Sequence, residues 1–545
     1  MFNVVKTLPK KPPIVVIKKT KSGAKKVIKK MSDCITEQHY SKYKIEGYDK
    51  NFFTDLIDKM MMDEFFDEKF KVKFDNVCKT RPDKKRLAIL GKIDNGKGII
   101  ADIMALKDNY VPKMTHIEDI IIMLRKYIKY GMSAKTKEFG EVATPLELVR
   151  DMIKSFPDSE NIWSNPHLKW LDPCNGTGPF LSMVIRKLMK GLENYNKDGL
   201  DLRDEEKRYK HIVENMIYCC EIQPKNMFLW MFFADPYDQY LLNVYPDSYL
   251  DEGFNNHMKN VWGIEKFDVI IGNPPYQERK EGNKKSQALW HKFVEKSLSL
   301  LNNDGFLSLV HPSGWRDIDG LFKATQKIMI DKEIHYLAMF SESDGMKTFG
   351  MDTRYDFYII KNKLSNKDFL SKIRCQDGSI IETKLHGMEF IPNGMFEEIM
   401  SLVAKKGEEK TKVIGDSSYH TQRDFMKKEP DTTYIYPCVY TVKSGDEMTL
   451  WYSNKDTNGH FGIPKLIWSN FRISSAGSIA DIDGKYALTQ FSYGIIDDKD
   501  KLLDIKKAFD TKKFRNMMEN CSVANMSINR KIIATFRKDF WKEFI

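Results

Sequence analysis

Between residues 136 and 365 short apolar runs alternate with amphipathic stretches, and this alternation constrains the fold more tightly than any other feature of the chain. An apolar run of a few residues is the length of a buried strand, whereas apolar residues spaced by three and four mark one face of a helix. Strands and helices in regular turn imply crossover connections, which lay the strands parallel. The expectation is an α/β domain with a mostly parallel, doubly wound sheet. Strands are predicted at 168–171, 216–220, 267–271, 306–311, 334–340 and 355–361, and helices at 180–188, 224–233 and 287–301.

The rest of the chain differs. Its 545 residues, 42% apolar, suffice for two or three cores. The formal charge is +11, yet residues 1–30 hold ten lysines and no acid, so all but +1 of that charge sits there. Residues 1–32 are expected to be a disordered basic tail, either a charge-driven polyanion binder or a solubilising arm. Residues 33–135 read mostly as helix, with Thr115 and Glu118 forming a capping box, and carry no recognisable chemistry. Beyond 365 the alternation fades into aromatic, turn-rich β pieces with a helical end near 503–520. The apolar runs are far shorter than the ~20 residues needed to span a membrane. The eight cysteines form no CxxC pair and no zinc spacing, and no metal is expected. They read as reduced thiols of a cytoplasmic protein without a secretory leader.

Three strand ends carry the chemistry. LDPCNGTGPFL, 171–181, closes a strand and opens a helix, where α/β folds bind ligands. Gly176 and Gly178 let a cofactor approach the main chain, and Asp172 suits a cationic amino group. Glu221 ends the next strand, 49 residues after Asp172, and suits a pair of ribose hydroxyls. Asp247 is expected to reach the adenine ring of the same cofactor, with Asp235 as competitor. In VIIGNPPYQ, 269–277, the strand stops at Gly272, and Pro274 and Pro275 stiffen the tip. There the Asn273 side-chain oxygen and the Pro274 carbonyl can accept the two hydrogens of an exocyclic amine, while Tyr276 stacks on its ring. Upstream, Thr144, Pro145 and Glu147 read as a well-capped helix start.

In this order the four segments resemble the N6-adenine DNA methyltransferases of restriction-modification systems, gamma group, over about 138–365. The resemblance implies a Rossmann-like class I methyltransferase fold, with catalytic domain 136–365 and DNA-reading target-recognition domain 366–545. It implies S-adenosyl-L-methionine as cofactor, double-stranded DNA as substrate, and a cognate restriction endonuclease as an allowed partner. Thr144, Asp172, Gly176, Gly178, Phe180 and Glu221 then correspond to cofactor residues. Asn273, Pro274, Pro275 and Tyr276 correspond to the target-base site, with Phe349 as a further wall. Trp451, Tyr452, Lys465, Trp468, Phe471 and Arg472 would belong to the DNA-reading part. An insertion at 191–210 accounts for the wide spacing between the glycine loop and Glu221. The alternatives are methylation of RNA or of a protein glutamine, or a silent DNA-binding adaptor of the same fold.

Overall fold

The computed structural model describes residues 144–222, 226, 230, 234, 240–278, 287–415, 418–523 and 527–545, with the backbone of 16–19 and 25–28. The expected helical region 33–135, its capping box and Asp235 lie outside the described residues. Within the basic tail, Val16–Lys19 pairs antiparallel with Lys25–Ile28, so these eight residues carry a backbone ladder where disorder is expected.

The chain forms two compact units. The first comprises Met1–His311, Asp331–Leu337 and Glu342–Lys372; the second comprises Pro312–Ile330, Ala338–Ser341 and Ile373–Ile545. The single boundary expected at 365 is thus replaced by several passages of the chain, because two short stretches inside 136–365 pack with the later residues.

Among the described residues the large sheet has nine strands, and seven consecutive ones carry the first unit: β1 (Trp170–Asp172), β2 (Ile217–Cys220), β3 (Asn243–Tyr245), β4 (Phe267–Gly272), β5 (Leu301–Pro312), β6 (Lys332–Phe340) and β7 (Tyr355–Leu364). Their spatial order is β6-β7-β5-β4-β1-β2-β3. The pairs β1–β2, β2–β3, β1–β4 and β4–β5 are parallel. β4 is buried along almost its whole length, as expected of a parallel strand covered on both faces. Helix α1 (Leu146–Lys154) buries Leu146, Leu148, Val149, Met152 and Ile153. Helix α2 (Pro179–Gly191) follows the glycine loop with proline in its first turn, where the missing N–H costs nothing. α3 (Trp290–Leu300) precedes β5, and α4 (Glu342–Phe349) precedes β7.

Two local differences from the sequence reading have a clear cause. Gln287 and Ala288, expected to open α3, pair instead with Gln277–Glu278 just after the proline corner. β5 begins at Leu301, directly where α3 ends, and its register on β4 shifts between Leu301 and Phe306. In both places strand pairing overrides local propensity. The expected insertion forms a small hairpin, Asn196–Lys197 with Leu200–Asp201, and a helix Glu205–His211 capped by Asp204.

The second unit holds two four-stranded sheets. One runs Lys412–Gly415, Ser492–Ile496, Lys465–Ser469, Ser478–Asp481; the other runs Met426–Lys427, Met448–Ser453, Tyr436–Val442, Ala487–Leu488. Helices Leu502–Asp510 and Lys512–Cys521 supply Leu502, Ile505, Phe509, Phe514 and Met517 to a core around Trp468. Trp468 and Lys465, expected among DNA-reading residues, are fully buried and cannot reach a base edge, whereas Arg472 is exposed. No helix among the described residues is long and apolar enough to cross a membrane.

Candidate active site

β1 is followed outward by β2 and β3, while β4 lies on its other side, so the strand order reverses between β1 and β4. The carboxyl ends flanking such a reversal border the crevice in which α/β folds take ligands. Here they are Asp172 with its glycine loop and Gly272 with the proline corner. The two tips touch. A methyl group placed on Gly272 would lie 2.7 Å from Asp172 Oδ1. The Asn273 backbone N–H also hydrogen-bonds the Cys174 thiol.

Main-chain bonds hold the glycine loop. Asn175 N–H donates to Cys220 O at 2.9 Å, and Gly178 N–H donates to Asn175 O at 2.9 Å. Gly176 N–H donates to Glu221 Oε2 at 2.7 Å, which joins the loop to the end of β2. Gly176 has φ +55 with open space where a side chain would stand; Gly178 has φ +87 with the Trp230 indole filling that place.

Several buried polar atoms at these tips have no partner. Asp172 is wholly buried; its Oδ1 accepts from Cys174 N–H at 3.0 Å and its Oδ2 from nothing. Burial pushes its pKa up to about 8, against the pull of the Cys174 bond, and the neighbouring Glu221 charge pushes the same way. The Asn175 amide is buried with both Oδ1 and Nδ2 unpartnered. Asn273 Nδ2 donates to Thr144 Oγ1 at 3.0 Å, which leaves Asn273 Oδ1 buried and unpartnered. Tyr276 Oη is likewise buried without a partner, and burial pushes its pKa well above the ordinary tyrosine range. Buried polar atoms in folded proteins are nearly always paired, so each of these calls for a partner from outside the chain, a water or a polar ligand.

The aromatic side is formed by Tyr276 and Phe349. Their rings meet edge to face, 6.2 Å apart at 86°, and Phe349 in turn meets Tyr355 at 4.9 Å and 70°. The Tyr276 carbonyl accepts from Leu289 N–H at 3.0 Å, which ties the corner to the residue before α3. Pro274 is buried and Pro275 half-buried.

Residues 180–345 match the Eco57I restriction-modification methylase family. The resemblance read from the motifs is shown by this match. The chain is 27% identical to an uncharacterised adenine-specific methylase of Mycoplasma pneumoniae, over 37% of this chain and 62% of the relative. It is 21% identical to the type II restriction enzyme and methyltransferase RM.Eco57I of Escherichia coli, over 41% of this chain and 28% of that protein. The chain thus spans less than two thirds of either relative. The solved type IIL restriction-modification enzyme MmeI in complex with DNA superposes with a TM-score of 0.42 at 14% identity, covering 74% of this chain and 68% of that one.

Within the Eco57I-like stretch lie Phe180, Glu221, Asp247 and the corner Asn273–Tyr276; Thr144, Asp172, Gly176, Gly178 and Phe349 lie outside it. The structure brings Thr144, Asp172, Gly176, Glu221 and Asn273 together through the contacts above, and Tyr276 with Phe349. Phe180 is buried in the face of α2. Asp247 sits two residues past β3, where its Oδ1 accepts from Ser248 N–H at 2.7 Å. The expected cap of α1 is corrected: Pro145 is the N-cap, no side chain caps the helix, and the Thr144 hydroxyl serves Asn273 instead. Sequence reasoning passed over Asn175, since an asparagine in a strand-to-helix turn reads as turn chemistry, and Trp230, which reads as ordinary helix packing.

Proposed function

We propose that this chain is a DNA methyltransferase that moves a methyl group from S-adenosyl-L-methionine to N6 of an adenine turned out of double-stranded DNA. The observation that carries this reading is the buried, unpartnered Asn273 Oδ1 on a proline-stiffened strand tip in contact with the Asp172 loop. A lone acceptor of that kind is costly to bury unless a donor arrives to meet it.

The residues at the tips fit the cofactor. Asp172 Oδ2 is a buried, unpartnered oxygen suited to an ammonium group, Glu221 stands at the neighbouring strand end, and the space beside Gly176 admits a ligand to the main chain. When bound, S-adenosyl-L-methionine supplies a methyl group made electrophilic by a sulfonium. The N6 lone pair of adenine is delocalised into the ring, and two acceptors on its hydrogens draw it toward a pyramidal, nucleophilic form. Asn273 Oδ1 and the Pro274 carbonyl are those acceptors. Preorganised groups of this kind contribute on the order of 3 kcal/mol each to the barrier. Tyr276 and Phe349 offer aromatic contacts that replace the stacking lost by a flipped base. Nitrogen gains the methyl group and releases one hydrogen as a proton to solvent.

The second unit supplies the DNA-reading part of this proposal, with a cognate restriction endonuclease and a cytoplasmic setting belonging to the same reading. Methylation-sensitive sequencing of DNA from cells expressing the protein should reveal N6-methyladenine in one sequence context. Asn273→Ala should abolish the mark and leave cofactor affinity, read by calorimetry, within about threefold. Full turnover in that variant would remove the role given to the corner, and absence of any cofactor binding would favour an adaptor.

A further inference from the structure

We infer that Arg530 is a residue of the second unit that reads a guanine, presenting its guanidinium fork to O6 and N7 in the major groove, so that the sequence recognised contains a fixed G·C pair. The inference deepens the function proposed above and rests on it. It concerns the second unit alone.

Lys465 and Trp468 are interior, so the residues of this unit that meet DNA lie elsewhere on its surface. That surface has a recess of about 240 Å³ whose lining includes Asp317, Asp319, Asn470, Tyr493, Asn529 and Arg530. Its acids are already engaged within the chain. Asp319 pairs with Lys531, and Asp317 Oδ1 accepts from Ile318 N–H at 2.8 Å and from Asn529 Nδ2 at 3.2 Å. Arg530 is exposed, and among the described residues its guanidinium has no ion pair. What holds it is a ring: Arg530 Cζ lies 5.1 Å from the Tyr493 ring centroid. Gly415, opposite Tyr493 in the sheet, leaves the space for this contact, since a methyl group there would lie 2.9 Å from Arg530 Nη1 and 3.0 Å from Tyr493 Cδ1. A guanidinium laid against an aromatic ring keeps its N–H groups available and loses little freedom when it binds.

Two groups of duplex DNA suit an arginine fork, a phosphate and the O6/N7 edge of guanine. The recess favours the base. A phosphate beside Arg530 would bring a full negative charge against the Asp317 and Asp319 side, whereas the guanine edge is uncharged and offers two acceptors. Arg472 is the contrasting case. It is exposed, also without an ion pair among the described residues, and stands outside the recess, joined to it by the backbone bridge between Arg472 and Ser527. It suits a phosphate of the same duplex, a contact that positions without specifying.

The test selects the duplexes that the full-length protein binds from a random-sequence pool, a readout that needs no catalysis, and compares them with the methylated sites in cells that express it. The parent should select a motif with at least one invariant G·C pair. Arg530→Ala should accept other base pairs at one such position and bind the parent motif about tenfold or more weakly, with cofactor Kd and melting temperature unchanged. Arg530→Lys should lose the same discrimination, because an ammonium has no fork. Arg472→Ala should keep the motif and weaken all sequences alike, lowering the slope of log K against log salt by about one. No selected motif, a motif without guanine, or an Arg530→Ala motif identical to the parent's would overturn the inference. So would an Arg530→Ala protein that weakens uniformly with a reduced salt slope, which would make Arg530 a phosphate contact. If the parent selects a motif but forms no N6-methyladenine, the function proposed above fails, and the selected motifs alone still decide the role of Arg530.

Discussion

Asp172 combines complete burial with one oxygen that has no partner, and its titration follows from that. A free aspartate ionises at about 3.9, whereas Asp172 in the folded protein holds its proton up to about 8. Between those values the folded state binds a proton that the unfolded state lacks. Its contribution to stability is therefore greatest below about pH 4, falls as pH rises toward 8, and is level above that. A cation brought against Oδ2 favours the ionised form, so cofactor binding at pH 7 should expel about one proton. Calorimetry in buffers of different ionisation enthalpy reads that number directly. Asp172→Asn should melt higher than the parent without ligand, release no proton and bind at least about tenfold more weakly, the loss of a charge-assisted bond. A parent protein that binds the cofactor without proton release would take Asp172 out of the cofactor site. Asn273 is the complementary case at this scale, an uncharged group whose usefulness depends on orientation alone. The sequence named both residues; it did not show that each would keep an atom unpartnered, because that depends on what the fold places around them.

The glycine loop shows why an element, rather than a residue, is the unit of the site. Gly176 and Gly178 both have positive φ, which a side chain adopts only under strain, yet their surroundings differ. At Gly178 a Cβ would collide with the Trp230 ring, so Gly178→Ala adds overpacking to backbone strain. It should destabilise the first unit by about 2 kcal/mol or more and shift the tryptophan fluorescence. At Gly176 nothing lies within 4 Å, so Gly176→Ala carries the strain alone. It should melt closer to the parent but lose cofactor affinity, because the new methyl occupies ligand space. Equal melting losses in the two variants would refute this division of labour. The loop and the proline corner were legible in the sequence because glycine and proline act on their own backbone within a residue or two. The end of α1 nearest them was misread for the opposite reason: a local cap competes with a partner 129 residues away, and local pattern cannot weigh that competition.

At the scale of the whole molecule, the second unit has a core around Trp468, and a buried ion pair in that unit tests whether the two units unfold separately. Lys465 Nζ lies 2.8 Å from Asp481 Oδ2 with both side chains buried, and it also donates to the carbonyls of His460 and Ile463. Burial lowers the Lys465 pKa, while the Asp481 charge holds it up. Lys465→Met leaves Asp481 buried and uncompensated, which typically costs about 3–5 kcal/mol. The variant should lose stability in the second unit and with it DNA binding, while cofactor binding by the first unit persists; loss of both together would show that the units unfold as one. By itself, the sequence determined the α/β class, the approximate strands of the first unit and the three motifs at their ends. Periodicity, glycine and proline act over a few bonds and are written in adjacent residues. Only the tertiary structure decided that β1 and β4 are neighbours, that two short segments inside the first unit's stretch belong to the second, and that Lys465 is an interior ion rather than a DNA contact. Those outcomes depend on which distant residues share a surface, and that is settled by the burial of whole strands and helices together.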